Sequence, residues 1–444
     1  MGIITLRQAA EWCGGRVAPE YENITFLGAN NDTRKLLPGQ LFVALEGLRD
    51  GHDFIGAALE KGASAVLCKH CDAAVPAIIV EDPRIALGKI AAGERQRKAM
   101  QVVGVTGSVG KSTTKEMIAC VLQGTYRVSK TPANFNNDLG MPMAILAMPD
   151  DTQVAVLEMG MNHFREIAYL SNIARPDVGV IINVGTMHIE HLGSRQGILQ
   201  AKLEILEGMD ADAPLFINGD NDLLGAWRPT HKTLSFGMHN DCAVRAENVA
   251  EAEGTISYTA CYAGGKFQVH LPVEGMHYVS DSLAAVSVGL HMGVAPDLIA
   301  ARLNAFRTME GRQEIFTANG MTIIKDCYNA GPESMAAALA VLGKRKGRRI
   351  AVLGDMLELG PCAPVEHEKV GAVAAENADI ILAYGPYAAC VAKGAKGVCE
   401  IFDDRKAMAS RLKTVATQGD VLLFKGSHGM HMELVLEAFL EKDT

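Results

Sequence analysis

Short runs of consecutive apolar residues alternate with amphipathic stretches over most of the chain. In the middle third these runs are QVVGV, VAVLEM, DVGVIINVG and PLFIN, which begin at residues 101, 154, 177 and 214. Strands that are buried on both faces have this pattern, and helices between them imply a parallel sheet covered on both sides. We therefore predict a central α/β domain over 99–311, whose first strand leads through a glycine-rich turn into a helix over Lys111–Leu122.

The period of the pattern changes to two between residues 243 and 273, in TISYTACY and KFQVHLPV. Alternation of this kind predicts half-buried strands, and the glycine pair at 264–265 predicts a tight turn between them. We interpret the segment as an antiparallel insert or edge of the central sheet, followed by two helices near 280–293 and 296–306.

The last third returns to strand–helix alternation, with apolar runs in TIIKD, RRIAVLGD, ADIILAYG, GVCEIF and DVLLFKGS. This predicts a second doubly wound, Rossmann-like domain over 312–444. Because the domain has no GxGxxG, a dinucleotide cofactor is not indicated. Residues 1–98 mix short elements, among them a strand over 41–47 and a helix over 53–63. The expected fold class is therefore α/β, in three domains, with a central P-loop parallel sheet.

Composition and charge exclude several classes of protein. The chain has 444 residues, of which 48% are hydrophobic, enough for several buried cores. Its 42 Lys and Arg against 51 Asp and Glu give a net charge of −9, which argues against a nucleic-acid or anionic-membrane binder. No run approaches the roughly 18–20 apolar residues of a membrane helix, and the N-terminus has no signal-peptide pattern. We therefore expect a cytoplasmic protein that is not integral to a membrane.

The ten cysteines are scattered along the chain. Cys68 and Cys71 form one CxxC pair, a spacing compatible with a redox site or half of a zinc site. Because no second pair lies nearby, we interpret both as structural residues.

A phosphate-binding loop is the strongest chemical signal. GVTGSVGKST, over Gly104–Thr113, matches GxxxxGK[ST] and lies between a predicted strand and a predicted helix. Its glycines let backbone N–H groups turn around phosphate oxygens, and the helix N-terminus adds partial positive charge. Lys111 is expected to reach the β- and γ-phosphates, and the Ser112 hydroxyl to bind Mg²⁺. The expected nucleotide contacts in this loop are Thr106, Gly107, Ser108, Val109, Gly110, Lys111, Ser112 and Thr113.

Two further residues follow predicted strands of the same sheet. The run VAVLEM carries Glu158 where P-loop enzymes commonly place an aspartate for Mg²⁺. NVGTMHIEH carries His188 and His191, but nitrogen is an unusual ligand for a hard cation. From the residues alone, both histidines are more often surface or packing groups. A zinc site in HIEH would need a third ligand, and none is evident.

Several motifs occur in one order along the chain: TGSVGKSTTKEM, TPANFNNDLGMP, LEMGMNHFREI, NVGTMHIEHLGS and AKLEI. In this order they strongly resemble the Mur ligases of bacterial cell-wall synthesis. DCYNAGPESM, VLGDMLELG and LFKGSHGMHME are similar to the family member that adds a dipeptide. NDTRKLLPGQLFVALEGLRDGHDF, over Asn31–Phe54, is similar to its nucleotide-sugar domain. The resemblance spans nearly the whole chain.

The resemblance implies an ATP-dependent amide ligase that phosphorylates a carboxylate and lets an amine attack the acyl phosphate. The implied substrates are UDP-N-acetylmuramoyl-tripeptide and D-alanyl-D-alanine, joined in the last cytoplasmic step of peptidoglycan precursor synthesis. Domain 1–98 would bind the UDP-muramoyl peptide, 99–311 ATP, and 312–444 both ATP and the dipeptide. The protein would be a monomer whose third domain closes on substrate binding.

The resemblance also implies roles for single residues. Ser112 and Glu158 would hold one Mg²⁺ and His188 would contact a second. Lys202, in AKLEI, would be carbamylated by CO₂ and supply anionic oxygens at the metal site; from the residues alone, it is better interpreted as a solvent-exposed helix lysine. Lys111 and Arg312 would add positive charge at the transferred phosphate.

Further contacts are implied for both ligands. The nucleotide would also meet His277, Asp281, Arg312 and Asp326. The remaining substrate contacts would be Thr33 and Arg34 at the UDP moiety, Asn134, Asn136 and Asn137 at the muramoyl peptide, and Tyr328, Asn329, Lys425 and Ser427 toward the dipeptide or phosphate. For Lys425 and Ser427, a strand-terminating turn is the alternative.

The chain departs from the family pattern at Arg165, Tyr278, Asp281, Lys325, Gly331 and His428. The alternatives are the family's diamino-acid ligase, whose DNPR-type motif is missing here, folylpolyglutamate synthase, and a regulatory P-loop NTPase. Neither the third residue of the peptide, meso-diaminopimelate or lysine, nor the base that deprotonates the amine follows from the sequence.

Overall fold

The computed structural model describes residues 3–239 and 241–441. The N-terminal segment has a four-stranded parallel sheet, in the order β3-β4-β5-β6, and a small antiparallel pair, β1-β2. Its strands are β1 (Ile4–Thr5), β2 (Thr25–Phe26), β3 (Ala29–Asn30), β4 (Leu41–Val43), β5 (Ala65–Cys68) and β6 (Ala77–Ile79). Its helices are α1 (Leu6–Cys13), α2 (Ile55–Glu60) and α3 (Pro83–Arg97).

Two predicted elements of this segment differ from the structure. The strand ends at Val43 rather than at residue 47, and the helix is split into a 3₁₀ turn over Gly51–Phe54 followed by α2. The Asp50 side chain accepts from the His52 N–H and so starts the 3₁₀ turn. Gly51, the first residue of the 3₁₀ turn, lies so close to the Leu45 backbone that no Cβ would fit there.

The middle of the chain forms a nine-stranded sheet in the order β15-β14-β13-β12-β11-β10-β7-β9-β8. Its strands are β7 (Gln101–Thr106), β8 (Val128–Lys130), β9 (Val154–Glu158), β10 (Val178–Ile181), β11 (Leu215–Asn218), β12 (Thr233–Gly237), β13 (Val244–Ala252), β14 (Thr255–Tyr262) and β15 (Gly265–Leu271). Its helices are α4 (Lys111–Leu122), α5 (Gly140–Ala147), α6 (Glu166–Ala174), α7 (Ile189–Leu192), α8 (Arg195–Leu203), α9 (Asp222–Ala226), α10 (His277–His291) and α11 (Pro296–Asn304).

The parallel and antiparallel parts belong to one sheet. β7 to β12 pair in parallel, and β13, β14 and β15 pair antiparallel at the edge, which confirms the predicted edge. β12, which the hydrophobic pattern did not predict, joins the two parts because it pairs in parallel with both β11 and β13. The core strands are buried along their whole length, as runs of consecutive apolar residues require.

The C-terminal segment forms a six-stranded sheet in the order β16-β17-β21-β18-β19-β20. The strands are β16 (Glu314–Ala318), β17 (Met321–Asp326), β18 (Arg349–Gly354), β19 (Ile380–Tyr384), β20 (Cys399–Phe402) and β21 (Val421–Lys425). The helices are α12 (Pro332–Gly343), α13 (Ala363–Asn377), α14 (Ala388–Gly394), α15 (Arg405–Val415) and α16 (Met432–Leu440). The five predicted strands are present, and β16 is an additional antiparallel edge strand.

This topology places three strand ends of the C-terminal sheet side by side. β21 lies between β17 and β18, all parallel, so that Asp326, Gly354 and Lys425 end neighbouring strands. Ligands of open α/β sheets bind at this edge.

Within the described residues, no helix is both long and apolar enough to cross a membrane. All ten cysteines are free.

Candidate functional site

The phosphate loop connects β7 to α4 and has the predicted geometry. Gly110 adopts a φ of +82°, and a Cβ there would lie 2.6 Å from Asp281 Oδ1, so only glycine suits this position. The helix begins at Lys111, and the N–H groups of its first turn have no partner inside the helix. Ser108 to Thr113 line a cavity of about 300 Å³. Thr106 does not line this cavity, because its side chain is fully buried at the end of β7.

Asn183 holds the loop in this shape. Its Oδ1 accepts from the N–H groups of Ser108 and Val109, at 2.9 and 3.0 Å, and its Nδ2 donates to the Val109 carbonyl at 3.0 Å. Ser108 Oγ in turn accepts from the Gly185 N–H. Two of the N–H groups predicted for phosphate are therefore already bonded to Asn183. Sequence reasoning missed this residue, although its position directly after a strand of the same sheet was a usable signal.

Glu158 contacts both Ser112 of the phosphate loop and Asn136 of the segment before α5. Its carboxylate is 2% exposed and accepts from Ser112 Oγ at 2.7 Å and from Asn136 Nδ2 at 2.8 Å. Lys115 Nζ lies 3.8 Å from the same carboxylate and donates to the Thr131 carbonyl. A buried carboxylate next to a hydroxyl is a suitable oxygen donor pair for a hard cation.

Two lysines with perturbed pKa values lie close enough to each other to interact electrostatically. Lys111 Nζ donates to the carbonyls of Gly107 and Ser108, and burial lowers its pKa. Lys202, on α8, is 1% exposed, and burial together with the charge of Lys111 holds its pKa well below the ordinary lysine value. Among the described residues, none forms a hydrogen bond or ion pair with the side chain of Lys202, whose backbone carbonyl accepts from the Glu204 N–H. The structure therefore contradicts the solvent-exposed interpretation of this lysine.

Groups from the C-terminal segment complete the cavity at the phosphate loop. Arg312 Nη2 donates to Ser112 Oγ at 2.9 Å, and the guanidinium lies 4.0 Å from the ring centre of Tyr328. Lys425 Nζ, which is almost fully buried, donates to Asp326 at 2.6 Å and to the Asn329 carbonyl at 2.9 Å. These contacts place the ends of β17 and β21 beside the phosphate loop.

His277, Tyr278 and Asp281 of α10 form one wall of this cavity. The ring centres of His277 and Tyr278 lie 4.3 Å apart, and burial lowers the pKa of His277 to about 4. Its Nδ1 is buried without a hydrogen-bond partner among the described residues. Burial raises the pKa of Asp281 to about 7, although the Thr114 hydroxyl donates to this carboxyl at 3.0 Å.

A second cavity of about 340 Å³ adjoins the first, and Lys111, Asn136, Tyr328 and Asn329 line both. The other predicted residues that line it are Asn134, Asn137, His188 and Ser427. Asn137 Oδ1 accepts from the N–H groups of Leu139 and Gly140, so this side chain also shapes the turn before α5. Ser427 Oγ accepts from the Leu357 N–H and donates to the Ala330 carbonyl.

Thr33 and Arg34 line neither of these two cavities. Arg34 is exposed and pairs with Asp32 at 2.8 Å, while the Thr33 carbonyl accepts from Lys61. Among the departures from the family pattern, Gly331 precedes α12, and the His428 ring centre lies 6.0 Å from that of Tyr328. Lys325 lies 3.9 Å from Glu310.

The fold and the site define an α/β protein of three segments, with a P-loop cavity that its central and C-terminal segments share. The chain belongs to the Mur ligase family. Three family models match it: the Mur ligase family catalytic domain over 23–95, the Mur ligase middle domain over 105–289, and the Mur ligase glutamate ligase domain over 311–428. The predicted family is thereby confirmed.

Two relatives of known sequence match nearly the full length. The UDP-N-acetylmuramoyl-tripeptide–D-alanyl-D-alanine ligase of Bacillus subtilis is 40% identical, with 98% of each chain covered. The ligase of the same name from Escherichia coli is 35% identical, with 99% of each chain covered.

Solved structures agree with this match. MurF from Acinetobacter baumannii superposes with a TM-score of 0.92 at 32% identity, with both chains fully covered. MurF ligase from Thermotoga maritima, in complex with ADP, has a TM-score of 0.84 at 31% identity and covers 93% of this chain and 97% of its own.

Proposed function

We propose that this chain is an ATP-dependent ligase that joins D-alanyl-D-alanine to UDP-N-acetylmuramoyl-tripeptide through an acyl phosphate. The observation that carries the proposal is the contact of Arg312 with the phosphate-loop residue Ser112, because it puts two domains around one nucleotide cavity. The choice of substrates is supported by the names of the full-length relatives. The diamino-acid ligase of the family is supported only by a structural likeness at 15% identity, which concerns the fold alone.

The chemistry requires positive charge around a phosphate acceptor. A carboxylate is a poor electrophile, and phosphorylation by ATP gives its carbon a good leaving group. Two anions must approach each other for this step, and they need local compensation. Lys111, Arg312 and the free N–H groups of the first turn of α4 supply it, and the global charge of −9 is no obstacle because these groups act locally.

The residues present fit Mg²⁺. Ser112 and Glu158 would hold one ion through oxygen, and His188 would contact a second. The metal would neutralise charge on the phosphates and on the acyl phosphate oxygens. Asn136 and Lys115 orient the Glu158 carboxylate, and Arg312 orients the Ser112 hydroxyl that donates to it.

Lys202 fits carbamylation because burial favours its neutral amine. The amine nitrogen forms a bond to the carbon of CO₂, one C=O bond electron pair moves to oxygen, and the nitrogen loses a proton to water. The product carries a negative charge near Lys111, where the unmodified ammonium would be repelled. Hard anionic oxygens are also the ligands that Mg²⁺ prefers.

The other predicted contacts are assigned to the two cavities, one for each kind of ligand. The nucleotide would occupy the first, against His277, Asp281, Arg312 and Asp326. The reacting ends of both peptides would meet in the second, which Asn134, Asn136 and Asn137 line from the central segment and Tyr328, Asn329 and Ser427 from the C-terminal segment. Lys425, at the end of β21, lines the first cavity and would contact the phosphate or the dipeptide from there. Thr33 and Arg34 would bind the UDP end of the substrate, away from both cavities. The enzyme would be a cytoplasmic monomer with domains 1–98, 99–311 and 312–444.

The test is phosphate release by the purified chain with ATP, Mg²⁺, UDP-muramoyl-tripeptide and D-alanyl-D-alanine. We expect release to require both peptide substrates and to yield the UDP-muramoyl-pentapeptide. Release independent of both would favour a regulatory NTPase. Reaction of a diamino acid with the UDP-muramoyl-dipeptide would favour the other family member. Tripeptides ending in lysine and in meso-diaminopimelate are compared in the same assay.

A further inference from the structure

A loop of the C-terminal segment reaches across the cleft to a histidine of the central segment. Glu358, between β18 and α13, places Oε2 2.7 Å from Nδ1 of His188, which directly precedes α7. Both residues have left-handed backbones, with φ of +63° and +64°. Such a conformation costs free energy in residues other than glycine, so the surrounding structure must impose it.

The loop that carries Glu358 is held from its own domain. The Met356 N–H donates to Nε2 of the buried His367 at 2.9 Å, and the Leu357 N–H donates to Ser427 Oγ at 2.9 Å. Asp355 accepts from the Tyr387 N–H. These contacts fix the two residues before Glu358 and leave its side chain pointing out of the domain toward His188.

The His188 side of the contact is also held. Glu333, at the start of α12, accepts from the Thr186 N–H at 2.9 Å and from the Thr186 hydroxyl at 3.1 Å. Gly360 packs against Glu190, and a Cβ there would lie 2.9 Å from the Glu190 Cβ. The segment around His188 is thus clamped by the C-terminal segment on both sides.

Only one of these contacts bears on the chemistry of the imidazole. The other residues touch the backbone or side chains next to His188, whereas Glu358 faces a ring nitrogen. The group bonded to one ring nitrogen decides which nitrogen carries the proton and how the ring is turned. A carboxylate at Nδ1 favours the proton there and leaves the lone pair on Nε2, at the other side of the ring. His188 and Glu358 both line the second cavity, next to Lys111.

We propose that Glu358 is a positioning residue, which orients His188 for metal binding only when the C-terminal segment is docked on the central one. The inference rests on the metal role proposed above for His188. It adds to that role because docking of the C-terminal segment would bring Glu358 to His188 and so orient the imidazole. Carboxylates behind metal-binding histidines typically change metal affinity by about 10–100-fold.

The experiment is a double-mutant cycle on metal binding, with Mn²⁺ as the probe in the presence of ATP and read by electron paramagnetic resonance. We expect Glu358→Ala to weaken binding of the histidine-dependent Mn²⁺ by about tenfold or more, and Glu358→Gln to keep most of it, because its amide oxygen can still lie beside Nδ1. In the His188→Ala background, Glu358→Ala should have no further effect. Glu190→Ala is the matched control, since it alters the same interface without touching the ring.

The outcomes separate this inference from the proposed function. If His188→Ala weakens Mn²⁺ binding and Glu358→Ala does not, only the positioning role is overturned. Equal effects of Glu358→Ala and Glu190→Ala would also overturn it, because a general loosening of the interface would then suffice. If His188→Ala leaves Mn²⁺ binding unchanged, both the metal role of the histidine and the inference fail. Ligase turnover plays no part in this readout.

Discussion

The guanidinium of Arg312 donates to the hydroxyl of Ser112 at 2.9 Å, although the two residues are 200 positions apart in the chain. Ser112 Oγ also donates to Glu158, so Arg312, Ser112 and Glu158 form one chain of polar contacts. Arg312 lies at the entry to the C-terminal segment, whereas Ser112 in α4 and Glu158 in β9 belong to the central segment. Docking of the two segments is therefore coupled to the geometry of the phosphate loop.

Replacement of Arg312 tests this coupling. We expect Arg312→Ala to lower kcat by about 100-fold or more, because it removes a charge next to the transferred phosphate. Arg312→Lys should recover only part of the loss, since an ammonium cannot contact Ser112 and stack on Tyr328 with the same planar group. Steady-state kinetics with ATP varied measures both. The prediction is contradicted if Arg312→Lys is as active as the unmodified chain.

Asn183→Ala should raise KM for ATP more than it lowers kcat. The substitution removes the three side-chain hydrogen bonds that tie Asn183 to Ser108 and Val109, and leaves the bond from the Ser108 N–H to the Asn183 carbonyl. The loop then has to be ordered by the nucleotide itself, at a cost of about 1–3 kcal/mol for the lost and unpaired groups. Calorimetric titration with ADP measures the affinity directly. Asn172→Ala, which removes a hydrogen bond within α6, is the control and should bind ADP normally.

Carbamylation of Lys202 is checked by ¹³C NMR in labelled bicarbonate. We expect one slowly exchanging carbamate signal in the unmodified chain, because burial keeps the Lys202 amine neutral. Lys202→Ala should lack the signal and lose most ligase activity. Lys98→Ala is the matched control, since this buried lysine is paired with Glu94 and the Met148 carbonyl. A signal that survives in Lys202→Ala and disappears in Lys98→Ala would contradict the assignment.

ATP affinity should fall as pH rises through 7, because burial raises the pKa of Asp281 to about 7. Below that pH the carboxyl is neutral; above it, a negative charge faces the phosphate loop at Gly110. The same shift lowers stability as pH rises from about 4 to 7, since the folded state then binds a proton that the unfolded state has lost. Asp281→Asn should flatten both dependences, measured by KM for ATP at pH 6 and 8 and by thermal unfolding at pH 5 and 7. If the pH dependence of KM and of thermal stability is unchanged in Asp281→Asn, this carboxyl is not the cause of either effect.

Arg345→Met should favour separation of the C-terminal segment. Arg345 pairs with Glu274 at 2.7 Å and with Glu253, and the side chains of Arg345 and Glu274 are only 11% and 9% exposed. Loss of a buried charged partner costs about 1–3 kcal/mol, which shifts the balance toward open forms by about 5- to 150-fold. Small-angle scattering should report a larger radius of gyration without ligand and compaction with an ATP analogue and tripeptide. Lys346→Met, one residue further along the same basic run, should leave the radius unchanged.

Much of the fold follows from local sequence. The phosphate-loop helix begins and ends where predicted, at Lys111 and Leu122, because a glycine in a left-handed turn starts it. The runs of buried strands follow from their apolar character alone. β12 and β16 were missed since both are partly exposed and mix polar with apolar residues, so that neither forms a continuous apolar run. Short motifs in a fixed order were sufficient to identify the family.

The sequence by itself determined the phosphate loop, the α/β class, the family and most candidate residues, because each depends on neighbours in the chain. The tertiary structure decided which residues meet: Arg312 with Ser112, Asn183 with the loop, and Glu358 with His188. It also decided the state of Lys202, which helical periodicity would leave in solvent. Burial and partners are properties of the packed chain, and they set the charge of an amine and the orientation of an imidazole.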